Sequence, residues 1–307
     1  NRCNLQCPVC FANANEAGYI AEPTFDLVVE ELQVLRNQHP YPATAIQFTG
    51  GEPTLHPDFF RIVERACAMG FSHVQIATNG IRIAERAFAQ RAADAGLHTL
   101  YLQFDGLDDE EYRKLRGRPL LDVKMEAIEN CRQTGMKVCL VPTIVRGIND
   151  QKVGEIFNFA VQNADVISAI SYQPVAFTGR ISRAQLAEQR YTLGDLAHDL
   201  AACSEAEVAR DFFPLNFMPP LSRILQAIDG RPKIRPSCHS DCAFGTYFFV
   251  TPDRQAIPVP KLFAMAKLMR GFNEHAARIE RRRPDGKANW LDRLRIVLTF
   301  LRSYRWS

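Results

Sequence analysis

Cys3, Cys7 and Cys10 stand at the spacing C-x3-C-x2-C near the start of the 307-residue chain. Three thiolates on one tight loop can hold one face of an iron–sulfur cluster. Three protein ligands on a four-iron cluster leave one iron open to a substrate or cofactor, which points to chemistry rather than support. Two blander uses compete: a structural zinc knuckle completed by a distant ligand, and unrelated cysteines. Zinc sites favour paired C-x2-C units, and the sequence holds no clean second pair.

A later stretch, Pro236-Ser237-Cys238-His239-x2-Cys242, carries two more thiols. Two thiolates are not four. An auxiliary iron–sulfur site there needs Cys203, His239 or ligands from elsewhere, and two cysteines packed as small hydrophobes are the alternative. Cys67 and Cys131 fall on helical patterns and Cys139 in an apolar strand, where core packing accounts for them. The other histidines form no ligand spacing. Nine cysteines, an odd count with no signal peptide visible, read as thiols of a reducing cytoplasm rather than disulfides.

The elements that position these groups alternate. Apolar runs at 45–49, 73–78, 99–104, 137–145 and 166–173 read as strands, and amphipathic stretches at 25–37, 57–69, 84–95, 122–134 and 151–162 read as helices. Gly70, Gly96 and Gly135 sit where helix C-caps belong. Repeated strand–helix units imply a parallel sheet, open or closed into a barrel. Chemistry in such folds collects at the C-terminal ends of strands. There the sequence places Gly50-Gly51-Glu52-Pro53, Thr78-Asn79-Gly80, Asp105-Gly106, Arg146-Gly147-Ile148-Asn149 and Gln173-Pro174. Structural roles are available to several of them: Glu52 as a cap, Asn79-Gly80 as a turn, Asp105 as the cap of a helix starting near Asp108.

The alternation fades after about residue 180, which divides the chain into an α/β body over 1–180 and a C-terminal extension over 181–307. Prolines punctuate the extension, and 246–250 with 255–259 reads as a hairpin around Pro252-Asp253. Phe212, Phe213, Leu215, Phe217, Met218 and Leu221 suit either an apolar groove or an ordinary core. A formal charge of +3 hides a segregated distribution: residues 261–307 hold twelve Lys or Arg against four Asp or Glu. Trp290, Leu294, Val297 and Leu301 recur there at helical spacing beside Arg293, Arg295, Arg302 and Arg305. Such a helix either docks on the body or lies on an anionic membrane surface. With 20 Phe and 8 Tyr the chain can fill a core, so disorder is excluded, and no run of about 18 apolar residues spans a bilayer. No feature calls for a nucleic-acid partner.

Asn1-Arg2-Cys3-Asn4-Leu5-x-Cys7-Pro8-x-Cys10, followed some forty residues later by Gly50-Gly51-Glu52-Pro53, resembles the radical S-adenosylmethionine superfamily over about 1–180. The resemblance implies a partial (β/α)6 TIM-like barrel. It implies that Cys3, Cys7 and Cys10 hold a [4Fe-4S] cluster whose open iron chelates S-adenosylmethionine. One electron from an external donor then cleaves the sulfonium to a 5′-deoxyadenosyl radical that abstracts a substrate hydrogen. Gly50, Gly51 and Glu52 would meet the methionyl group, and Thr78 and Asn79 would line the cofactor pocket. Gln103 and Asp105 would contact ribose or carboxylate, and Arg146 and Asn149 ribose and adenine. Val9 stands where many members carry an aromatic residue. No acid or base is assigned beyond the cluster.

The family's barrel has a strand before its cysteine loop, so that strand is expected to lie upstream of Asn1. The stretch 1–15 and the segment 238–250 also look similar to the tetraether lipid synthase group, which implies carbon–carbon bond formation on lipid chains. A peptide maturase or cofactor-biosynthesis enzyme acting on a small molecule, and a non-catalytic metal-binding protein, remain the other readings.

Overall fold

The computed structural model describes every residue except 17, 40–41, 236–237, 283–286 and 306–307. The chain divides into two compact units, Asn1–Leu196 and Ala197–Ser307.

The first unit runs α1 (Phe25–Arg36), β1 (Ala45–Phe48), α2 (Phe59–Ala68), β2 (His73–Thr78), α3 (Arg86–Asp94), β3 (Thr99–Gln103), α4 (Asp109–Arg116), α5 (Leu121–Thr134), β4 (Lys137–Val141), β5 (Thr143–Ile144), α6 (Val153–Gln162), β6 (Ile167–Ile170), β7 (Gln173–Pro174) and α7 (Leu186–Gln189). Five strands pair in the order β1-β2-β3-β4-β6, all parallel. The order never reverses, so each helical crossover moves one way along the sheet. That winding belongs to a partial barrel, as the sequence led us to expect, and not to a doubly wound sheet.

Alternate strand residues explain the layering. Val74, Ile76, Leu100, Leu102, Val138 and Leu140 are fully buried against the helices. Their strand neighbours turn to the other face, where Gln47, Gln75, Tyr101 and Cys139 are only partly covered or exposed. The expected strand over 137–145 is split. Pro142 has no N–H to give the ladder, so β4 ends and β5 resumes beyond it, paired with β7.

In the second unit follow α8 (Leu193–Cys203, which begins before the division), α9 (Val208–Asp211), β8 (Phe213–Pro214), α10 (Pro219–Asp229), β9 (Phe244–Gly245), β10 (Phe248–Val250), β11 (Ala256–Pro258), α11 (Val259–Leu262), α12 (Met265–Arg282) and α13 (Trp290–Ser303). The hairpin expected over 246–259 is present as antiparallel β10 and β11. Ile224 of α10, Leu268, Met269 and Phe272 of α12 and Ile296 of α13 share one core. Phe213, Phe217 and Leu221 pack against that core, Phe213 and Phe217 stack at 4.6 Å, and Met218 is buried. These side chains pack as part of that core. Among the described residues no helix is long and apolar enough to cross a membrane.

Candidate active site

The cysteine loop lies in the irregular stretch before α1. Asn15 closes it. Its backbone takes a left-handed conformation (φ 70°), its side-chain oxygen accepts from Cys3 N at 2.9 Å, and its amide donates to the carbonyls of Cys3 (2.9 Å) and Leu5 (3.3 Å). Residues following β7 grip the far side. Arg180 donates from Nη1 to Cys7 O at 3.1 Å, from its backbone N to Cys10 O at 3.1 Å and from Nη2 to Ala14 O, and it pairs with Glu16. Gly179 precedes it at φ 71°, and a Cβ there would stand 2.2 Å from Cys10 O. This clamp escaped the sequence reading; a Gly-Arg pair just beyond the fifth strand was its signal.

The C-terminal half of α4 walls the loop. Leu5, Cys3 and Cys7 pack with Tyr112 and Leu120, while Val9 packs with Leu115 and Val145. Asp108 caps α4 by accepting from Glu110 N, so the capping role open to Asp105 falls to Asp108. Cys3, Cys7 and Cys10 are free, partly buried thiols. Burial first, then Glu52 and the neighbouring Cys7 and Cys10, push the Cys3 thiol up, against a lowering backbone hydrogen bond at Leu5. Crowded thiolates of this kind suit a cationic cluster, whose charge relieves their repulsion. Among the described residues no three His, Cys, Asp or Glu side chains converge on a single ion. A four-iron cluster binds each thiolate through a different iron, so its donors need not converge on a point.

Glu52 ties the strand ends to that loop. Its Oε1 accepts from Thr54 N (3.2 Å), Thr54 Oγ1 (2.6 Å) and Thr78 Oγ1 (2.8 Å), and its Oε2 accepts from Asn79 N at 2.8 Å. Its backbone N donates to Arg2 O at 2.7 Å. It caps the turn Pro53–Leu55 while knitting β1 to β2. Gly51 has a sharper duty than leaving room for a ligand, because a Cβ there would stand 1.9 Å from Arg2 O. Gly50 has open space around it and φ 151°. Asn79 donates from Nδ2 to Asn4 Oδ1 at 2.6 Å, linking the second strand end to the cysteine loop.

The next strand ends are tied internally. Asp105 is wholly buried and accepts from Arg116 Nε and Nη2 (both 2.7 Å), Thr143 N (3.1 Å) and Gln103 Nε2. Asn149 is equally buried. It accepts from Val145 N and donates to Asp105 O and Thr143 O, each at 2.9 Å. Arg146 is half exposed and engages Arg190 O (2.8 Å) and Asp195 (3.0 Å). Sequence reasoning missed Lys124, which comes from α5 fully buried. Its Nζ donates to Asn79 O and, at 2.8 Å, to Gln103 Oε1. Burial pulls it down to about 7.

The unhelixed face of the sheet carries a polar ladder. Gln75 Nε2 donates to Gln47 Oε1, Tyr101 Oη lies 2.5 Å from Ser171 Oγ, and Gln173 Nε2 donates to Tyr101 Oη at 3.0 Å. In the second unit Cys238 is partly buried and Cys242 exposed, with Cys242 N donating to His239 O at 3.0 Å. Pro236 and Ser237, which open that motif, lie outside the described residues. Cys203 Sγ rests on Leu200 O at 3.4 Å. Cys131 is a core thiol, Cys139 lies partly covered on the polar face of the sheet, and burial pushes both up to about 12.

A model of the Radical SAM superfamily matches residues 1–160, the span that carries the thiol loop and the strand ends it meets. The chain belongs to the radical SAM superfamily. Membership implies a [4Fe-4S] cluster and S-adenosylmethionine as the cofactors of this site. Its relatives include the 7,8-dihydro-6-hydroxymethylpterin dimethyltransferase of Methanocaldococcus jannaschii, 42% identical over 263 residues, covering 85% of this chain and 52% of that protein. A probable GTP 3′,8-cyclase of Methanosarcina mazei is 31% identical over 164 residues, covering 52% of this chain and 48% of that protein. The chain thus spans about half the length of the curated relatives it matches. In fold it is similar to Streptococcus suis SuiB bound to precursor peptide SuiA, at TM-score 0.53 and 20% identity over 66% of this chain and 43% of that one.

Proposed function

We propose that this radical SAM enzyme abstracts hydrogen from an unactivated carbon of its substrate so that a new carbon bond can form there. In this reading Cys3, Cys7 and Cys10 hold the cluster, Gly50, Gly51 and Glu52 frame the methionyl end of the cofactor, and Thr78, Asn79 and Val9 line its pocket. Gln103, Asp105, Arg146 and Asn149 position the ribose and adenine side, Asp105 and Asn149 acting through the loops they hold. Bound together, cluster and cofactor supply a 5′-deoxyadenosyl radical. The protein's part is to fix the thiols, orient the cofactor and exclude water. The observation that carries the reading is the junction of the thiol loop with Glu52 and Asn79 through Arg2 and Asn4.

Two substrate classes are favoured by different observations. The polar ladder of Gln47, Gln75, Tyr101, Ser171 and Gln173 suits a hydrogen-bonding heterocycle, in keeping with the pterin in the relative's name. The sequence resemblance of residues 1–15 and 238–250 to a lipid-coupling group favours a lipid whose chains are joined. Anaerobic reconstitution with a reductant tests the core: 5′-deoxyadenosine should form and vanish in Cys7→Ala. Zinc in place of iron, with no 5′-deoxyadenosine, sinks it. Mass spectrometry of turnover with the dihydropterin or with phospholipid separates the substrates. Joining two unactivated carbons releases two hydrogens and so yields two molecules of 5′-deoxyadenosine per bond. A second cluster at Cys238 and Cys242 belongs to the same proposal, and iron content lowered by Cys242→Ser with the first cluster intact is its test.

A further inference from the structure

Helix α13 turns its apolar side to solvent. Trp290, Leu294, Val297 and Leu301 are all exposed, Trp290 at 72%, and Leu291 and Leu298 widen the stripe. The side that meets α12 carries Asp292, Ile296, Thr299 and Ser303 instead. Asp292 pairs with Arg282, Thr299 bonds His275 at 2.8 Å, and a Cβ on Gly271 would stand 2.5 Å from Thr299. With about 3.6 residues per turn, the apolar residues fall in one arc, with Arg293 along one edge and Arg295 and Arg302 along the other. All three arginines are exposed.

An apolar stripe bounded on both sides by arginines is the build of a helix lying in the plane of a membrane. We propose that α13 seats the protein on an anionic lipid surface. Trp290, Leu294, Val297 and Leu301 enter the boundary between headgroups and acyl chains, and Arg293 and Arg302 meet lipid phosphates. Charge complementarity selects this occupant. The 261–307 segment holds twelve basic residues against four acidic ones, so an anionic plane attracts it at long range. A second copy would set arginine edges against arginine edges. The inference stands apart from the substrate question, since a membrane-seated enzyme can act on a soluble molecule.

The test is co-sedimentation of the reconstituted full chain with vesicles of phosphatidylcholine, with and without phosphatidylglycerol. The protein should bind the mixed vesicles, not the neutral ones, and release in high salt. Leu294→Glu with Leu301→Glu should weaken binding by about thirtyfold or more through lost apolar burial. Arg293→Gln with Arg302→Gln should weaken it by about thirtyfold through lost charge. Both double variants should melt as the wild type does and form 5′-deoxyadenosine without vesicles at the same rate. Equal binding to both vesicles, or none to either, overturns the proposal. So does wild-type self-association that Leu294→Glu with Leu301→Glu abolishes, because the stripe then covers another copy.

Discussion

Arg116 grips Asp105 through two parallel hydrogen bonds, Nε to Oδ2 and Nη2 to Oδ1, each 2.7 Å long, with both side chains buried. The same guanidinium donates to Thr143 Oγ1 at 2.9 Å, and the charge of the nearby Cys7 thiol is among the causes that favour its protonated form. One ion pair therefore fixes the end of β3, the last turn of α4 and a wall of the cysteine loop. Removing one partner leaves the other charge buried and uncompensated, so Asp105→Ala and Arg116→Met should each lose about 3–5 kcal/mol in chemical denaturation. The double variant should lose less than the sum. Strict additivity would show that the pair is not a coupled unit.

Gly51→Ala should be destabilising by about 1–3 kcal/mol, because its Cβ meets the Arg2 carbonyl and one of the two must move. Arg2 adjoins Cys3, so iron retained after reconstitution should fall as well. Gly194→Ala, whose nearest contact would be Thr192 Oγ1 at 3.6 Å, should change stability by no more than about 0.5 kcal/mol. Equal effects at the two sites would defeat the argument from the Arg2 contact.

Lys124 should give stability a pH signature. Its folded value of about 7 lies below the ordinary 10.5. Between those values the unfolded chain binds a proton that the folded chain refuses. Stability should thus rise with pH across that window, by up to about 1.4 kcal/mol per pH step, and this group adds no slope below or above it. Lys124→Met removes the titration. Denaturation midpoints that run parallel for wild type and variant from neutral to alkaline pH would falsify the assignment.

Arg180 should govern how tightly the cluster is kept. Its guanidinium and backbone hold the carbonyls of Cys7, Cys10 and Ala14. Losing a supporting contact of this type weakens metal retention by about 10–100-fold. Arg180→Ala should surrender iron to a chelator correspondingly faster, and Arg180→Lys should fall between. Retention unchanged in Arg180→Ala would assign the arginine to the Glu16 ion pair alone.

The strand–helix alternation was legible because burial on one face leaves a period of two in strands and about 3.6 in helices. Pro142 was visible too, yet its splitting of a strand showed only when the pairing of β5 with β7 was seen. At α13 the spacing of Trp290, Leu294, Val297 and Leu301 was correct, but spacing marks a face without saying what the face meets. The packed side proved to be that of Asp292, Ile296 and Ser303.

The sequence by itself brought Cys3, Cys7 and Cys10 together, because three thiols on one short loop need no other part of the chain to meet. It also determined that Gly50–Glu52 and Thr78–Asn79 lie at the ends of parallel strands. Only the tertiary structure decided how those ends are used. Glu52 Oε1 reaches Thr78 across 26 residues, Lys124 reaches Asn79 across 45, and Arg180 reaches Cys7 across 173. Partners so far apart share no periodicity, and folding alone lets a buried polar group find the donor or acceptor that makes its burial tolerable.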